Sequence, residues 1–399
     1  MLEGHYSINN RKEQVVNISK PIFLDNQSTT PLDQRVFEMM VPYFKDEFGN
    51  PHSSHHVYGR TASTAIETAR KKIANCLNTN YQDIYFTSGA TESNNLLIKG
   101  LGNYSKVEPK RIITVKSEHK CVLQSCQRLE EKGFDVVYLN VGTDGLINLQ
   151  DLEQELKPPT LLTTIMFVNN ETGVIQPVEE IGQLCKKYNS FFHTDAAQAA
   201  GKINIDCHAM NIDALSISGH KLYGPKGVGI LYVNAEVRKK MQPLFDGGGQ
   251  EKELRSGTLP TPLCVGLGEA IDLAINEKDK TNSSIKYLRD SFLSLLKNEI
   301  QDIKINGTLD KRIEGNLNIC IPGVSAEALI NNMPDLAIST GSACTSGFVE
   351  KSHVLSSMAI NGEDLNCSFR ISIGKNNTIE EMRLASSMII NATKKLKEN

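Results

Sequence analysis

The chain has 399 residues, 40% of them hydrophobic and 22% charged, enough to bury a large core and fill two domains of a soluble globular protein. A formal net charge of −3 excludes the strong basic bias of a nucleic-acid or membrane-surface binder. No run approaches the ~20 apolar residues that span a bilayer, and the start MLEGHYSINNRKEQVV lacks the apolar core of a targeting signal. Nine scattered cysteines without a C-x-x-C pair fit a reducing cytoplasm and no resident metal.

In chain order, TASTAIETARKKIANCL (61–77) spaces its apolar residues near 3.6 and predicts a helix. DIYFT (83–87) predicts a strand, and FTSGATESNNLLIKG leaves it through Ser-Gly-Ala-Thr to open a helix. Backbone N–H groups and Thr91 at that helix start suit a phosphate, although such a Ser/Thr is also an ordinary cap. RIITV (111–115) predicts the next strand, and VKSEHKCVL sets His119 just past its end. A flat ring there can lie against a planar cofactor or be merely structural. FDVVYLNV (134–141) and LLTTIMFV (161–168) read as further strands.

PVEEIGQLCKKY (177–188) predicts a helix with a proline in its first turn. The strand SFFHTD (190–195) ends in Asp195. A carboxylate at the C-terminal edge of a parallel sheet faces the ligand crevice of such folds, or else caps a helix. ALSIS (214–218) runs into Ser-Gly-His-Lys and then a glycine-rich hairpin. Lys221, at the end of a buried strand, is partly desolvated, which lowers its pKa and lets it form a Schiff base with a carbonyl. Ser218 and His220 offer donors on the same turn.

After about residue 265 the pattern changes. PLCVGLGEAIDLAINE predicts a long helix running toward the charged stretch EKDKTNSS, followed by a second helix, IKYLRDSFLSLLKNEI, and strand-like NLNICI and FRISI. The alternating βα pattern before this point predicts a large domain over 31–270. The remainder predicts a smaller α+β domain, formed by 1–30 with 271–399. Within it STGSACTSG (339–347) holds Cys344 between two glycines among hydroxyls, a setting for a thiol that must move to its target rather than for a buried structural cysteine.

A phosphate site, a ring stacker, an acid and a Schiff-base lysine follow the chain order of a fold-type I pyridoxal-phosphate enzyme. With FLDNQSTTPLDQRV, GNPHSSHHVYGR, VNNETGVIQP, SGHKLYGPKGVG, RSGTLPTP and STGSACTS, the chain resembles the NifS/IscS-type cysteine desulfurases over nearly its whole length. The resemblance implies an α/β fold whose large domain carries a mostly parallel seven-stranded sheet. It implies pyridoxal 5′-phosphate held by Lys221, with Asp195 on the pyridine nitrogen, Gln198 on the ring hydroxyl and His119 stacked on the ring. Ala90, Thr91, Ser218 and His220 would receive the phosphate, and Thr258 of RSGT would complete that cup from the opposite subunit of a homodimer. Asn170, also near the cofactor, would hold the substrate carboxylate together with Arg370, whose guanidinium fork matches it.

By the same resemblance the freed Lys221 takes the α-proton of L-cysteine, and Cys344 receives the sulfur as a persulfide, leaving L-alanine. His119 is the candidate acceptor of the thiol proton. The sulfur would pass to an iron–sulfur scaffold protein and other acceptors, with tRNA thiolation a further destination and a transient iron–sulfur contact at Cys344 left open. A selenocysteine lyase, another fold-type I enzyme and a non-enzymatic sulfur-protein platform stand as the alternatives.

Overall fold

The computed structural model describes residues 20–104, 106, 108–340, 351–360 and 362–398. Its centre is a seven-stranded sheet. In chain order the strands are β2 (Ile84–Thr87), β3 (Arg111–Val115), β4 (Asp135–Leu139), β5 (Leu162–Thr164), β6 (Phe191–Asp195), β7 (Ala214–Ser218) and β8 (Gly229–Val233), arranged β2-β8-β7-β6-β5-β3-β4. β8 is antiparallel to both its neighbours, β2 and β7, and every other pairing is parallel. Six strands therefore run the same way and end on one edge, where α/β folds bind ligands.

Alternation along the strands explains the layers. Ile84, Phe86, Ile113, Val115, Leu215, Ile217, Ile230 and Tyr232 point to one core. Tyr85, Ile112, Ala214, Leu231 and Val233 point to another. A strand buried on both faces reads as a continuous apolar run, which is why these segments are visible in the sequence. The first core is closed by the helices Val57–Cys76, Val178–Lys187 and Thr261–Asn276, and the second by Ala90–Gly102 and Lys120–Glu130.

A third core lies beyond the sheet. The helices Lys278–Glu299 and Ile379–Glu398 pack Phe292, Leu296, Ala385 and Ile389 against the antiparallel strands β9 (Lys304–Ile305), β10 (Asn316–Cys320) and β12 (Ser368–Ser372). The chain's early segment joins it: β1 (Ile22–Phe23) pairs in parallel with β11 (Leu336–Ala337).

Three expectations shift. The helix predicted over 61–77 begins at Val57, where His56 accepts the backbone N–H of Gly59 as a cap. Pro177 is the cap residue rather than part of the first turn of Val178–Lys187. The charged stretch 278–284 belongs to the helix Lys278–Glu299, the break falling at Glu277. With no apolar residue in it, that stretch carried no periodicity to announce a helix.

Candidate active site

The edge where the parallel strands end collects side chains from far apart in the sequence. β2 leads through Gly89, at φ +151°, into the helix Ala90–Gly102. β8 starts between β2 and β7, with Gly229 opposite both Thr87 and Ser218. A Cβ on Gly229 would stand 2.6 Å from Gly89 Cα, and one on Gly89 3.5 Å from Ser218 Oγ. Glycine at both positions lets the helix start and the Ser218 hydroxyl approach one point, leaving the N–H groups of Ala90 and Thr91 beside it. Glu92 in the first turn accepts the Ser88 N–H at 2.7 Å and pairs with Arg255 at 2.8 Å. Thr258, three residues past Arg255, is exposed.

Lys221 follows the end of β7 in a short 3-10 turn, Gly219–Lys221. Its Nζ donates to the carbonyls of Gln27 and Ser28, each at 2.7 Å. Burial, aided by the Arg370 charge and opposed by Asp25 and Asp195, pushes this amine down to about 8. His220 beside it, bonded through Nδ1 to Thr29 Oγ1 at 3.1 Å, is pushed down to about 4 by burial and by Lys221 and Lys226.

Asp195 ends β6. Its Oδ2 accepts Asn94 Nδ2 at 2.7 Å and its Oδ1 the Ala197 N–H at 2.9 Å. Gln198, three residues on, donates from Nε2 to the Gln27 carbonyl at 2.9 Å, the acceptor that also holds Lys221. His119 caps the helix Lys120–Glu130, its Nδ1 accepting the Cys121 N–H at 3.2 Å and lying 3.0 Å from Cys121 Sγ. The residue is exposed although many protein atoms lie near its ring. That crowding, with Lys221, His353 and Lys120, lowers its basicity against the raising effect of Asp195.

Arg370, from β12, is 4% exposed. Its Nη1 donates to the Asn170 carbonyl at 2.7 Å and its Nη2 to Asp25 Oδ1 at 2.6 Å, leaving Nε without a partner among the described residues. Thus the structure brings Ala90, Thr91, His119, Asn170, Asp195, Gln198, Ser218, His220, Lys221 and Arg370 to one edge, with Thr258 on the exposed segment beyond Arg255. Cys344 lies outside the described residues. The residues flanking its segment are described. Ser339 exchanges backbone hydrogen bonds with Arg370, and on the other side Ser352 Oγ donates to Glu171 Oε2 at 2.5 Å and His353 Nε2 donates to the Glu118 carbonyl at 2.8 Å.

Several residues here escaped the sequence reading: Asp25, Gln27, Asn94, Glu118, Glu171, Lys202 and His353. Glu118 is fully buried behind His119, and its carboxyl is pushed well above the usual range by burial and then by Asp195. Asp25 and Gln27 lie in FLDNQSTTPLDQRV, Asn94 in FTSGATESNNLLIKG, Glu118 in VKSEHKCVL and Glu171 in VNNETGVIQP, all segments already singled out, but no spacing there distinguished these positions.

The edge fits pyridoxal phosphate on its own terms. Asn94 Oδ1, Asn170 Oδ1, Gln27 Nε2 and Arg370 Nε are buried with no hydrogen-bond partner among the described residues. Such orphans call for a polar occupant. A lysine amine of lowered basicity, a buried carboxylate and a glycine-lined helix start are the kinds of group that bind an aldehyde, a pyridine nitrogen and a phosphate. No cluster of metal-binding side chains occurs among the described residues. No helix there is long and apolar enough to cross a membrane.

Fold and site together define a fold-type I pyridoxal-phosphate enzyme. Residues 22–384 match the family model for aminotransferase class-V. Cysteine desulfurase IscS of Rickettsia prowazekii (strain Madrid E) is 48% identical over 385 residues, spanning 96% of this chain and 94% of that protein. A solved NifS-like protein superposes with a TM-score of 0.87 at 35% identity, covering 94% of this chain and 99% of its own. SspA, solved in complex with cysteine, superposes at 0.79 with 39% identity over 90% of this chain and all of its own. The chain belongs to the class-V aminotransferase family and, within it, to the NifS/IscS-type cysteine desulfurases.

Proposed function

We propose that this enzyme removes sulfur from L-cysteine with pyridoxal phosphate, giving L-alanine and a persulfide on Cys344. The observation that carries the reading is the convergence of Lys221, Asp195, His119 and Arg370 on one edge, close enough that Asp195 and Lys221 act on the His119 ring and Arg370 and Asp195 on the Lys221 amine. When bound, the cofactor supplies a protonated, electron-withdrawing ring that absorbs the charge released as the substrate's Cα–H bond breaks.

The chain's own groups do the rest. Lys221 Nζ anchors the cofactor and, once freed, carries the α-proton; an amine held near 8 has a substantial neutral fraction at physiological pH. Asp195, oriented by Asn94, keeps the ring nitrogen protonated, Gln198 meets the ring hydroxyl and His119 covers the ring face. Ala90, Thr91, Ser218 and His220 hold the phosphate, with Thr258 of the second copy in a homodimer closing the cup. Arg370 binds the substrate carboxylate through its unpaired Nε edge, with Asn170 alongside. His119, neutral at pH 7 because its basicity is lowered, takes the proton of the Cys344 thiol. The thiolate then attacks the substrate sulfur: an S–S bond forms, the substrate's C–S bond breaks, and protonation of its Cβ completes L-alanine.

The large domain of this reading covers 31–270 and the small one 1–30 with 271–399, in keeping with separate hydrophobic cores. The persulfide goes to an iron–sulfur scaffold protein and other cytoplasmic acceptors, tRNA thiolation included. Mass spectrometry after exposure to L-cysteine tests it: an added sulfur is expected on Cys344, and Cys344→Ala is expected to keep cofactor absorbance and lose sulfide release. Normal sulfide release by that variant rejects the reading.

A further inference from the structure

In the sequence Cys344 lies between Ser339, whose backbone is bonded to Arg370, and Ser352, which opens the short helix His353–Ser357. That far end is fastened by side chains. Ser352 Oγ accepts the Leu355 N–H at 3.0 Å as a helix cap and donates to Glu171 Oε2 at 2.5 Å. His353, half-buried, donates from Nε2 to the Glu118 carbonyl at 2.8 Å. Each acceptor adjoins a residue of the active site. The Glu118 carbonyl belongs to the peptide unit that leads into His119. Glu171 follows Asn170, whose own carbonyl accepts Arg370 Nη1 at 2.7 Å.

Both acceptors stand on one frame. Asn169 Nδ2 donates to the Ser117 carbonyl at 3.0 Å, and Asn169 Oδ1 accepts the Glu171 N–H at 2.9 Å. Glu118 Oε1 accepts the Met166 N–H at 2.5 Å, and the Glu171 carbonyl accepts Asn316 and Asn318 at 3.0 and 3.2 Å. The Glu171 carboxyl is buried, which raises its proton affinity; the Ser352 hydroxyl, then His353, Arg370 and Lys120, oppose that rise. Packing holds the short helix in place independently, because Val354, Leu355 and Met358 are buried with Val141. The two polar bonds therefore add direction: they fix where the chain turns off the helix relative to His119 and Arg370.

We propose that His353 and Ser352 are positioning residues for the sulfur-transfer step: by binding the frame that carries His119 and Asn170, they hold the far end of the Cys344 stretch in register with the base and with the substrate's carboxylate site. The inference rests on Cys344 being the persulfide carrier. Neither residue touches Lys221 among the described contacts, so loss of these bonds leaves the α-proton step alone and slows the thiol step. The tie at Ser339 remains, so the displacement is partial, and about a tenfold loss is expected from a misplaced reacting group.

The test uses the holoenzyme and separates the two steps. L-alanine has no sulfur to give, so exchange of its α-proton in deuterated water reports the Lys221 step alone. The mass of the Cys344 peptide after rapid mixing with L-cysteine reports the thiol step. For His353→Leu, persulfide formation is expected to slow about tenfold while α-proton exchange stays within about twofold. His353→Gln, which keeps an N–H donor at a similar reach, is expected to restore the rate. Thermal melting of the cofactor-free chains checks that the variants fold. Should His353→Leu fail to fold, Ser352→Gly serves instead, since glycine still caps a helix but cannot bond Glu171, and the same split is expected. An equal loss in both reactions, no loss in either, or glutamine no better than leucine overturns the proposal. Absence of added sulfur on Cys344 in the unsubstituted chain overturns the persulfide carrier itself, which is a separate result.

Discussion

Arg370 shows how a single residue can be legible in type and illegible in situation. The family resemblance implied that it binds a carboxylate, but nothing in the sequence said that Asp25, 345 positions earlier, would occupy Nη2. The same holds for Asn94, whose partner Asp195 lies 101 positions further on and is brought to it by folding. Lys221, Asp195, His119 and Ser218 were readable because each closes or follows an apolar strand, and strand ends are visible as the edge of a hydrophobic run. With Nη1 on Asn170 and Nη2 on Asp25, Arg370 uses both arms of its fork to fix itself. Arg370→Lys keeps the charge but offers one ammonium in place of the planar fork. A rise of about tenfold or more in KM for L-cysteine is expected, with a smaller change in kcat. Steady-state kinetics decide it, and an unchanged KM would argue that the substrate carboxylate is held elsewhere.

At the scale of elements, strands buried on both faces were found almost to the residue, RIITV and ALSIS without error. Segments bounded by polar residues were placed less well. LLTTIMFV shortened to Leu162–Thr164, since its later residues leave the ladder and turn into the hairpin-like bridge between Val168 and Ile175. The start of β8 is where an element and the site meet. Gly229 faces Ile217 O at 2.4 Å and Gly89 Cα at 2.6 Å from where its Cβ would be. Both are backbone, so neither can move aside as a side-chain tip could. Gly229→Ala is expected to cost about 1–3 kcal/mol, as overpacking does, and to weaken phosphate retention by spreading Gly89 from Ser218. Thermal unfolding of the cofactor-free chain checks the first effect, and cofactor dissociation the second.

Across the whole molecule, the sequence showed a βα half followed by a different half, and it hinted that the early segment crosses to the later one. It did not show the ties between distant parts. Arg70, in the helix Val57–Cys76, makes two bonds to Glu251 at 2.9 and 2.7 Å and one to the Ile84 carbonyl at 2.6 Å. Glu251 Oε2 also accepts the Phe86 N–H at 2.6 Å. A buried pair thereby fastens the segment leading to Arg255 and Thr258 onto the outer strand of the sheet. Arg70→Ala leaves the Glu251 carboxylate buried without its cation, and a loss of about 3–5 kcal/mol is expected in urea unfolding. A loss below about 1 kcal/mol would show that the segment relaxes to hydrate Glu251 instead.

If Cys344 carries the sulfur as proposed, the backbone bonding of Ser339 to Arg370 limits where that sulfur can be collected. Cys344 is five residue steps further along, and an extended chain advances by at most ~3.6 Å per residue, so its Cα stays within about 18 Å of that root in any conformation. A customer for the sulfur must bring its own acceptor atom inside this leash, on the side of the molecule where β12 meets the strand ends. Large acceptors are thereby selected by how their surface sits against that rim, before any chemistry at the thiol begins.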